Sequence, residues 1–234
     1  MMINRETRVY GSFAKRAGNR GCKIFNNAFR YHELNSIYKS FSIENIESGV
    51  LSARCLNFSG FAVTMPFKKE VLNFVDMISS DVDKIGAANT IILEKDGYKA
   101  YNTDYIAAME YIKNEIICLE GADLKGSIYD LVKEKDIKLF ILGNGGYASA
   151  VKHASERLDI PFQNIKRESW TDIESIENSI VYNCTPVESI VLDKSNFFID
   201  CNTASNTGRK LGMIQASHQY MLYTGLNFPF NYIS

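Results

Sequence analysis

The chain has 234 residues, a formal net charge of −1, 46% hydrophobic residues and 23% charged residues. This composition is typical of a globular protein with one large or two smaller domains, each able to bury a core. The near-neutral balance argues against nucleic acid or an anionic membrane as a partner, so any bound anion needs a local site. The polar start and the shortness of the apolar runs predict neither a signal peptide nor a membrane span, and the expected location is cytoplasmic.

The five cysteines are scattered along the chain, and none is part of a C-x-x-C pair. The pattern predicts free, buried thiols in a reducing compartment and no zinc site. The three histidines lack metal-ligand spacing, so no metal is expected. The cysteines are Cys22, Cys55, Cys118, Cys184 and Cys201, and the histidines are His32, His153 and His218.

The first half of the chain reads as short strands alternating with helices. Apolar periodicity predicts strands at residues 8–13, 35–41 and 58–64, and helices at 23–33, 42–51, 67–75, 76–85 and 105–119. Asp96-Gly97 lies between two apolar runs, at residues 88–94 and 98–102, which predicts a β-hairpin.

Three polar clusters follow or adjoin strand-like runs in this half, at residues 64–68, 86–90 and 102–104. Side chains at strand ends can converge on a cleft. Lys68, Asn89 and Asp104 gathered there could hold and protonate an oxygen-rich small molecule.

The second half follows a charged boundary region at residues 120–138, with a short helix expected at 127–133. Beyond it, strands at 138–142, 162–166, 180–183 and 197–200 alternate with helices at 147–158, 171–177 and 212–224. Such alternation predicts a parallel sheet with helices on its faces.

A glycine-rich turn joins the first of these strands to its helix. Gly143, Gly145 and Ala148 form the G-x-G-x-x-A fingerprint of dinucleotide-binding units, in the required strand-turn-helix context. The first glycine permits a tight turn, the second lets a pyrophosphate approach the backbone, and Ala148 lets helix and strand pack closely. The alternative is a strand-helix turn that binds nothing.

The residues at the end of the next strand bear on which dinucleotide would bind. An NAD site places an acidic residue about 20 residues after the turn. Lys166 and Arg167 stand there instead, followed by Glu168. The two cations favour the 2′-phosphate of NADP, with NAD as an alternative, and a solvated basic pair is equally compatible with the pattern.

Taken together, these segments resemble the shikimate dehydrogenase family. Five segments match its motifs in order and spacing: AVTMPFK at 62–68, IGAANT at 85–90, NTD at 102–104, GNGGYASA at 143–150 and NCTP at 183–186. A sixth, from Gln215 to Gly225, resembles the family's Q-A-x-x-Q helix.

The resemblance implies an α/β enzyme with an N-terminal three-layer substrate domain, a Rossmann-like nucleotide domain and a cleft between them. The substrate domain is expected to comprise residues 1–104 and 212–234, and the nucleotide domain residues 105–211. The implied reaction is the NADPH-dependent reduction of 3-dehydroshikimate to shikimate, in the route to chorismate and the aromatic amino acids. The expected partner is a small polyhydroxylated carboxylate, and a monomer or homodimer is expected.

The resemblance also implies roles for individual residues. Lys68 and Asp104 would be the catalytic pair, and Thr64, Asn89 and Gln215 would contact the substrate. The implied cofactor-binding residues are Gly143, Gly145, Gly146, Ala148, Lys166, Arg167 and Thr185.

Several departures leave the substrate open. The family's S-x-S-P-x-x-H-N loop corresponds to residues 19–26, NRGCKIFN, which lack both serines that hold the substrate carboxylate. Lys15, Arg16 or Arg20 could hold it instead, or could be solvated. Ala62 replaces a family asparagine, and Thr203 stands where the family has a tyrosine.

The nucleotide half also departs from the family, because the segments at 166–183 and 207–215 are shortened. Two alternatives therefore stand beside shikimate dehydrogenase: a relative that acts on quinate or another cyclohexane carboxylate, and a non-catalytic ligand-binding relative.

Overall fold

The computed structural model describes residues 3–119 and 138–233. The chain divides into two compact units, one formed by Met1–Thr103 with Gln215–Ser234 and the other by Asp104–Ile214. Both units are α/β, which confirms the predicted fold class. The helix predicted at 127–133 lies outside the described residues.

The first unit contains a six-stranded sheet in the order β2-β1-β3-β5-β6-β4. Its strands are β1 (Arg8–Ala14), β2 (Ser36–Ser42), β3 (Gly60–Val63), β4 (Met77–Ile78), β5 (Thr90–Glu94) and β6 (Gly97–Tyr101). Its helices are α1 (Arg20–Tyr31), α2 (Ile46–Cys55) and α3 (Ser80–Ile85), with 3-10 turns at Glu70–Asn73 and Phe230–Tyr232.

Strand direction brings several strand ends to one edge of this sheet. β1, β2 and β3 are parallel, whereas β5 runs antiparallel to both β3 and β6. The carboxyl ends of β1, β3 and β6 therefore meet the start of β5 at a single edge.

Residue alternation along β1 gives the sheet two buried faces. Phe13 packs with α2 and α3 in one cluster of buried side chains. Tyr10 points to the opposite face, where the centroid of its ring lies 5.3 Å from that of Phe29 of α1 and 4.8 Å from that of Tyr223. Helices thus cover both faces, which gives the three layers that the resemblance implies.

The second unit contains a four-stranded, all-parallel sheet in the order β10-β9-β7-β8. Its strands are β7 (Leu139–Leu142), β8 (Phe162–Ile165), β9 (Ile180–Asn183) and β10 (Phe197–Asp200). Its helices are α4 (Asp104–Leu119) and α5 (Gly146–Arg157), with a 3-10 segment at Arg167–Ser175; α6 (Asn206–Thr224) begins here and ends in the first unit.

The strand order reverses next to β7. The chain passes from β7 through α5 to β8 on one side, and then returns to β9 on the other. Open α/β sheets bind their ligands at this kind of switch point, outside the carboxyl ends of the strands. The turn at residues 143–146 lies there.

Tertiary pairing overrides the predicted helix at residues 76–85. Met77 pairs with Lys99 of β6, and the Asp76 carboxylate accepts the Tyr98 amide at 2.7 Å. A short strand, β4, therefore precedes α3. The helix predicted at 67–75 is only the 3-10 turn Glu70–Asn73.

Three other predicted helix starts are wrong by four residues or more. α2 begins after Asn45, whose Oδ1 accepts the Ser48 amide at 2.9 Å, because residue 42 belongs to β2. The helical segment expected at 171–177 begins at Arg167 as a 3-10 segment. α6 begins at Asn206 and not at 212, since the Ser205 hydroxyl accepts the Gly208 amide at 2.9 Å.

The cysteines are more accessible than predicted. Cys22, Cys55, Cys184 and Cys201 are free thiols, as expected. However, Cys55 is exposed at the end of α2, and the other three are only partly buried. Across residues 3–119 and 138–233, the helices are too short or too polar to cross a membrane.

Candidate active site

The first unit gathers its polar clusters at one edge of its sheet. Thr64 directly follows β3, and its amide donates to the Phe13 carbonyl of β1 at 3.1 Å. Asn89 directly precedes β5, and its carbonyl accepts the Val63 amide at 2.8 Å. The structure thus brings together residues that are far apart in sequence.

Lys68 lies on the turn that leaves this edge. Its carbonyl accepts the Ala88 amide at 2.8 Å, which fastens the turn to the segment before Asn89. The side chain is partly buried, and Thr64 is exposed. The backbone of Lys68 is therefore anchored at this edge of the sheet.

Asn89 is completely buried and organises the hydrogen bonds of this edge. Its Oδ1 accepts the Thr103 amide at 2.8 Å and the Thr90 hydroxyl at 2.8 Å, while its Nδ2 donates to Thr103 Oγ1 at 3.0 Å. Asn89 therefore holds Thr103, the residue that precedes Asp104. This positioning role was missed in the sequence, which suggested only substrate contact.

Gln219 is a second residue that the sequence interpretation missed. It lies one helical turn beyond the partly exposed Gln215 on α6 and is itself buried. Its Nε2 donates to Thr90 Oγ1 at 2.8 Å and to the Asn89 carbonyl at 3.3 Å. The second glutamine of the Q-A-x-x-Q motif could have indicated this role.

Replacing Gln219 with methionine keeps the side-chain length and removes the donor. We expect the free energy of unfolding to fall by about 1–3 kcal/mol, because a buried hydrogen-bond network loses a partner. Urea unfolding measures the loss. The exposed Gln163 in β8 offers a matched control, and an equal effect of Gln163→Met would contradict this assignment.

A cysteine of α1 and one serine from each of β1 and β2 form a polar group near the loop where the family has two serines. Cys22 Sγ lies 3.3 Å from the Ser40 hydroxyl, which in turn lies 3.0 Å from the Ser12 hydroxyl. These hydroxyls come from β1 and β2 and not from the loop. Of the three cations proposed to replace the serines, Lys15 forms an exposed ion pair with Glu44.

In the second unit, Asp104 is the first residue of α4 and is only 1% exposed. Nearby, the Tyr147 and Tyr182 hydroxyls lie 3.0 Å apart. Burial raises the pKa of both phenols well above the ordinary value, and the charge of Asp104 adds to the rise. Both phenols are therefore neutral hydrogen-bonding groups.

Gly143 occupies a backbone conformation that favours glycine, with φ of 111°. A Cβ there would lie 2.8 Å from the Thr185 Cγ2, so the turn packs closely against the end of β9. Asn164 of β8 braces the same turn, since its Nδ2 donates to the carbonyls of Ile141 and Gly143 at 2.9 and 2.7 Å. Asn164 was not predicted.

Gly145 differs from Gly143. Its φ of −82° suits any residue, and apart from its chain neighbours and the backbone of its own helix, no heavy atom of the described chain lies within 4 Å of where its Cβ would stand. Gly146 then begins α5, and Ala148 is fully buried against the sheet. The fold itself does not require glycine at 145, whereas close approach of a ligand would.

Thr185 is held by the end of β9. Its amide and hydroxyl both donate to Asn183 Oδ1, at 2.9 and 2.7 Å. Asn183 is anchored in turn to Asp200 Oδ1 at 2.9 Å. Lys166 is exposed directly after β8, and Arg167 begins the 3-10 segment.

The first unit presents a polar sheet edge suited to an oxygen-rich molecule, and the second presents a glycine-rich turn suited to a dinucleotide. Gly145 leaves room for a pyrophosphate beside the free amides of α5, whose first turn carries no acidic residue. Within the described residues, no group of three or more histidine, cysteine and carboxylate side chains could hold a metal. Fold and site define a Rossmann-like α/β protein of the dinucleotide-binding class.

Comparison with known proteins is consistent with this class. A family model described as the shikimate dehydrogenase substrate binding domain matches residues 20–91. The shikimate dehydrogenase-like protein of Haemophilus influenzae is 32% identical over 201 residues, covering 80% of this chain and 68% of that protein. The shikimate dehydrogenase (NADP(+)) of Methanocaldococcus jannaschii is 30% identical, covering 80% and 70%.

Solved structures match over almost the whole chain. A shikimate 5-dehydrogenase-like protein superposes with a TM-score of 0.78 at 24% identity, covering 99% of this chain and 97% of the other. A shikimate dehydrogenase in complex with NADP+ gives 0.73 at 23% identity, covering 99% and 95%. The sequence matches establish that the chain belongs to the shikimate dehydrogenase family.

Proposed function

We propose that this protein is a shikimate dehydrogenase that interconverts 3-dehydroshikimate and shikimate with NADP(H). The observation that carries the proposal is the convergence of Thr64, Lys68 and Asn89 on one sheet edge in a member of this family. Relatives named shikimate dehydrogenase (NADP(+)) support the choice of reaction and cofactor.

The proposed chemistry requires a proton donor at the substrate ketone. Bound NADPH supplies the hydride, and negative charge develops on the ketone oxygen as it arrives. Lys68 Nζ donates the proton that forms the hydroxyl, which lowers the barrier to reduction. In the reverse direction, Lys68 takes the hydroxyl proton back.

The remaining residues hold the substrate and the cofactor. Asp104 supplies the carboxylate that the family motif implies, while Thr64 and Gln215 supply neutral hydrogen bonds suited to hydroxyls that both donate and accept. The family motif assigns Asn89 a substrate contact, and its side chain also fixes Thr103. For the cofactor, residues 143–146, Ala148 and Thr185 shape the turn, and Lys166 and Arg167 favour the 2′-phosphate.

The departure near Cys22 supports a second candidate within the family. The family's two loop serines are missing, so the carboxylate side of the substrate would have different ligands, and the Ser12, Ser40 and Cys22 group supplies candidates for them. A related cyclohexane carboxylate such as quinate is therefore the alternative substrate.

Absorbance at the nicotinamide band tests both candidates. Initial rates with shikimate or quinate, each with NADP or NAD, should be highest for shikimate with NADP. A clear preference for quinate would favour the second candidate. Absence of turnover in all four reactions, with no NADPH binding by calorimetry, would favour a non-catalytic relative.

A further inference from the structure

Lys152 of α5 is a cation that neither the motif nor the proposed reaction uses. It lies seven residues beyond Gly145, which is about two helical turns and therefore the same face of the helix. Helical side chains lean toward the N-terminus, so the ammonium group extends back along this face.

Two observations place the Lys152 ammonium group beside the glycine turn. Its Nζ donates to Asn144 Oδ1 at 3.1 Å, across eight residues of sequence. Asn144 is the middle residue of the Gly143-x-Gly145 turn. Burial raises the pKa of the Cys184 thiol, at the end of β9, and the charge of Lys152 opposes the rise. The lysine charge therefore reaches the carboxyl edge of the sheet.

We propose that Lys152 binds the pyrophosphate of the dinucleotide above the glycine turn, guided by its hydrogen bond to Asn144. The inference rests on the proposed function, because it requires a dinucleotide at this turn. The positive charge of Lys152 adds to that of the free amides at the start of α5, and both attract a phosphate group.

Lys152 and Lys166 would then bind two different parts of the dinucleotide. Lys152 faces the turn and would contact the pyrophosphate, which NADPH and NADH share. Lys166 follows β8, at the place where a 2′-phosphate is recognised, and only NADPH carries that group. Substitution of the two lysines should therefore change cofactor binding in different ways.

Calorimetric titration of the full chain with NADPH and with NADH tests this division. Lys152→Met should weaken the binding of both cofactors by a similar factor, about tenfold or more, as expected for the loss of one charge-assisted hydrogen bond. Lys166→Gln should weaken the binding of NADPH much more than that of NADH. Lys113→Met, at an exposed position on α4 of the same unit, is the control and should change neither.

The outcomes separate this inference from the proposed function. If the wild-type chain binds NADPH and Lys152→Met binds both cofactors equally well, the inference is wrong and the proposed function stands. A loss confined to NADPH would also overturn it, since Lys152 would then recognise the 2′-phosphate. If the wild-type chain binds neither cofactor, the proposed function fails and the inference with it. Circular dichroism of each variant checks that the fold is intact.

Discussion

Turnover should fall by about two to four orders of magnitude when Lys68 is replaced by methionine, the range typical of losing a general acid. Methionine keeps most of the aliphatic chain and removes the proton donor. The backbone bond from the Ala88 amide to the residue 68 carbonyl does not depend on the side chain, so the edge of the sheet should persist.

The kinetic pattern distinguishes a catalytic role from a binding role. If Lys68 acts mainly in the transition state, kcat and kcat/KM should fall together, with little change in KM. A rise in KM at constant kcat would mean that Lys68 only binds the substrate. Steady-state rates with shikimate and NADP provide both parameters.

Lys69 provides a control one residue away. It is exposed, and its carbonyl accepts the Leu72 amide at 3.3 Å through the backbone alone. Lys69→Met therefore removes one positive charge from the same turn without removing the proposed donor. Equal losses in the two variants would show that charge near the turn, and not Lys68 itself, is responsible.

The convergence of the polar clusters could be predicted because it depends on local signals. Thr64 and Asn89 each adjoin an apolar run, and the Asp-Gly turn after β5 predicts the antiparallel hairpin. Once strand direction is known, residues at these positions must share an edge. The glycine turn was recognisable for the same reason, since its spacing and its strand-helix context are both local.

The supporting hydrogen bonds could not be predicted, because they join distant parts of the chain. Gln219 and Thr90 are 129 residues apart, and Asn164 braces a turn 21 residues before it. The sequence around an asparagine in a strand does not reveal which carbonyl its side chain will bind. β4 is a similar case, since two residues become a strand only when β6 is beside them.

The early start of α6 also depends on tertiary contacts. Asn206, Thr207 and Gly208 are weak helix formers, which is why periodicity placed the start at 212. The Thr207 hydroxyl donates to the Asp200 carbonyl at 2.9 Å, and Gly208 lies so close to the Asn202 carbonyl that any Cβ would overlap it. Docking against the end of β10 thus stabilises a turn that propensity alone would leave uncoiled.

The two glycines of the turn should respond in opposite ways to substitution. Gly145→Ser should leave the free energy of unfolding unchanged or slightly higher, because residue 145 is the N-cap of α5 and serine is a favoured N-cap. The same variant should weaken NADPH binding by at least tenfold. Its Cβ would keep the pyrophosphate away from the backbone, and its hydroxyl would accept the hydrogen bond of an amide that would otherwise bind the pyrophosphate.

Gly143→Ala should instead destabilise the protein by about 1–3 kcal/mol, the usual cost of placing a side chain in a strained backbone conformation. Its φ of 111° disfavours alanine, and the new Cβ would press on a Thr185 side chain that Asn183 holds in place. Urea unfolding of both variants measures the free energy of unfolding, and NADPH titration measures the affinity for the cofactor.

The contrast between the variants tests whether the turn binds a dinucleotide. A structural turn predicts that only Gly143 matters, because a Cβ at 145 would meet no atom of the described chain within 4 Å other than those of its chain neighbours and its own helix backbone. A binding turn predicts that Gly145→Ser loses affinity at full stability. If Gly145→Ser binds NADPH as tightly as the wild type, the pyrophosphate does not approach the backbone here, and the cofactor must be held in another way.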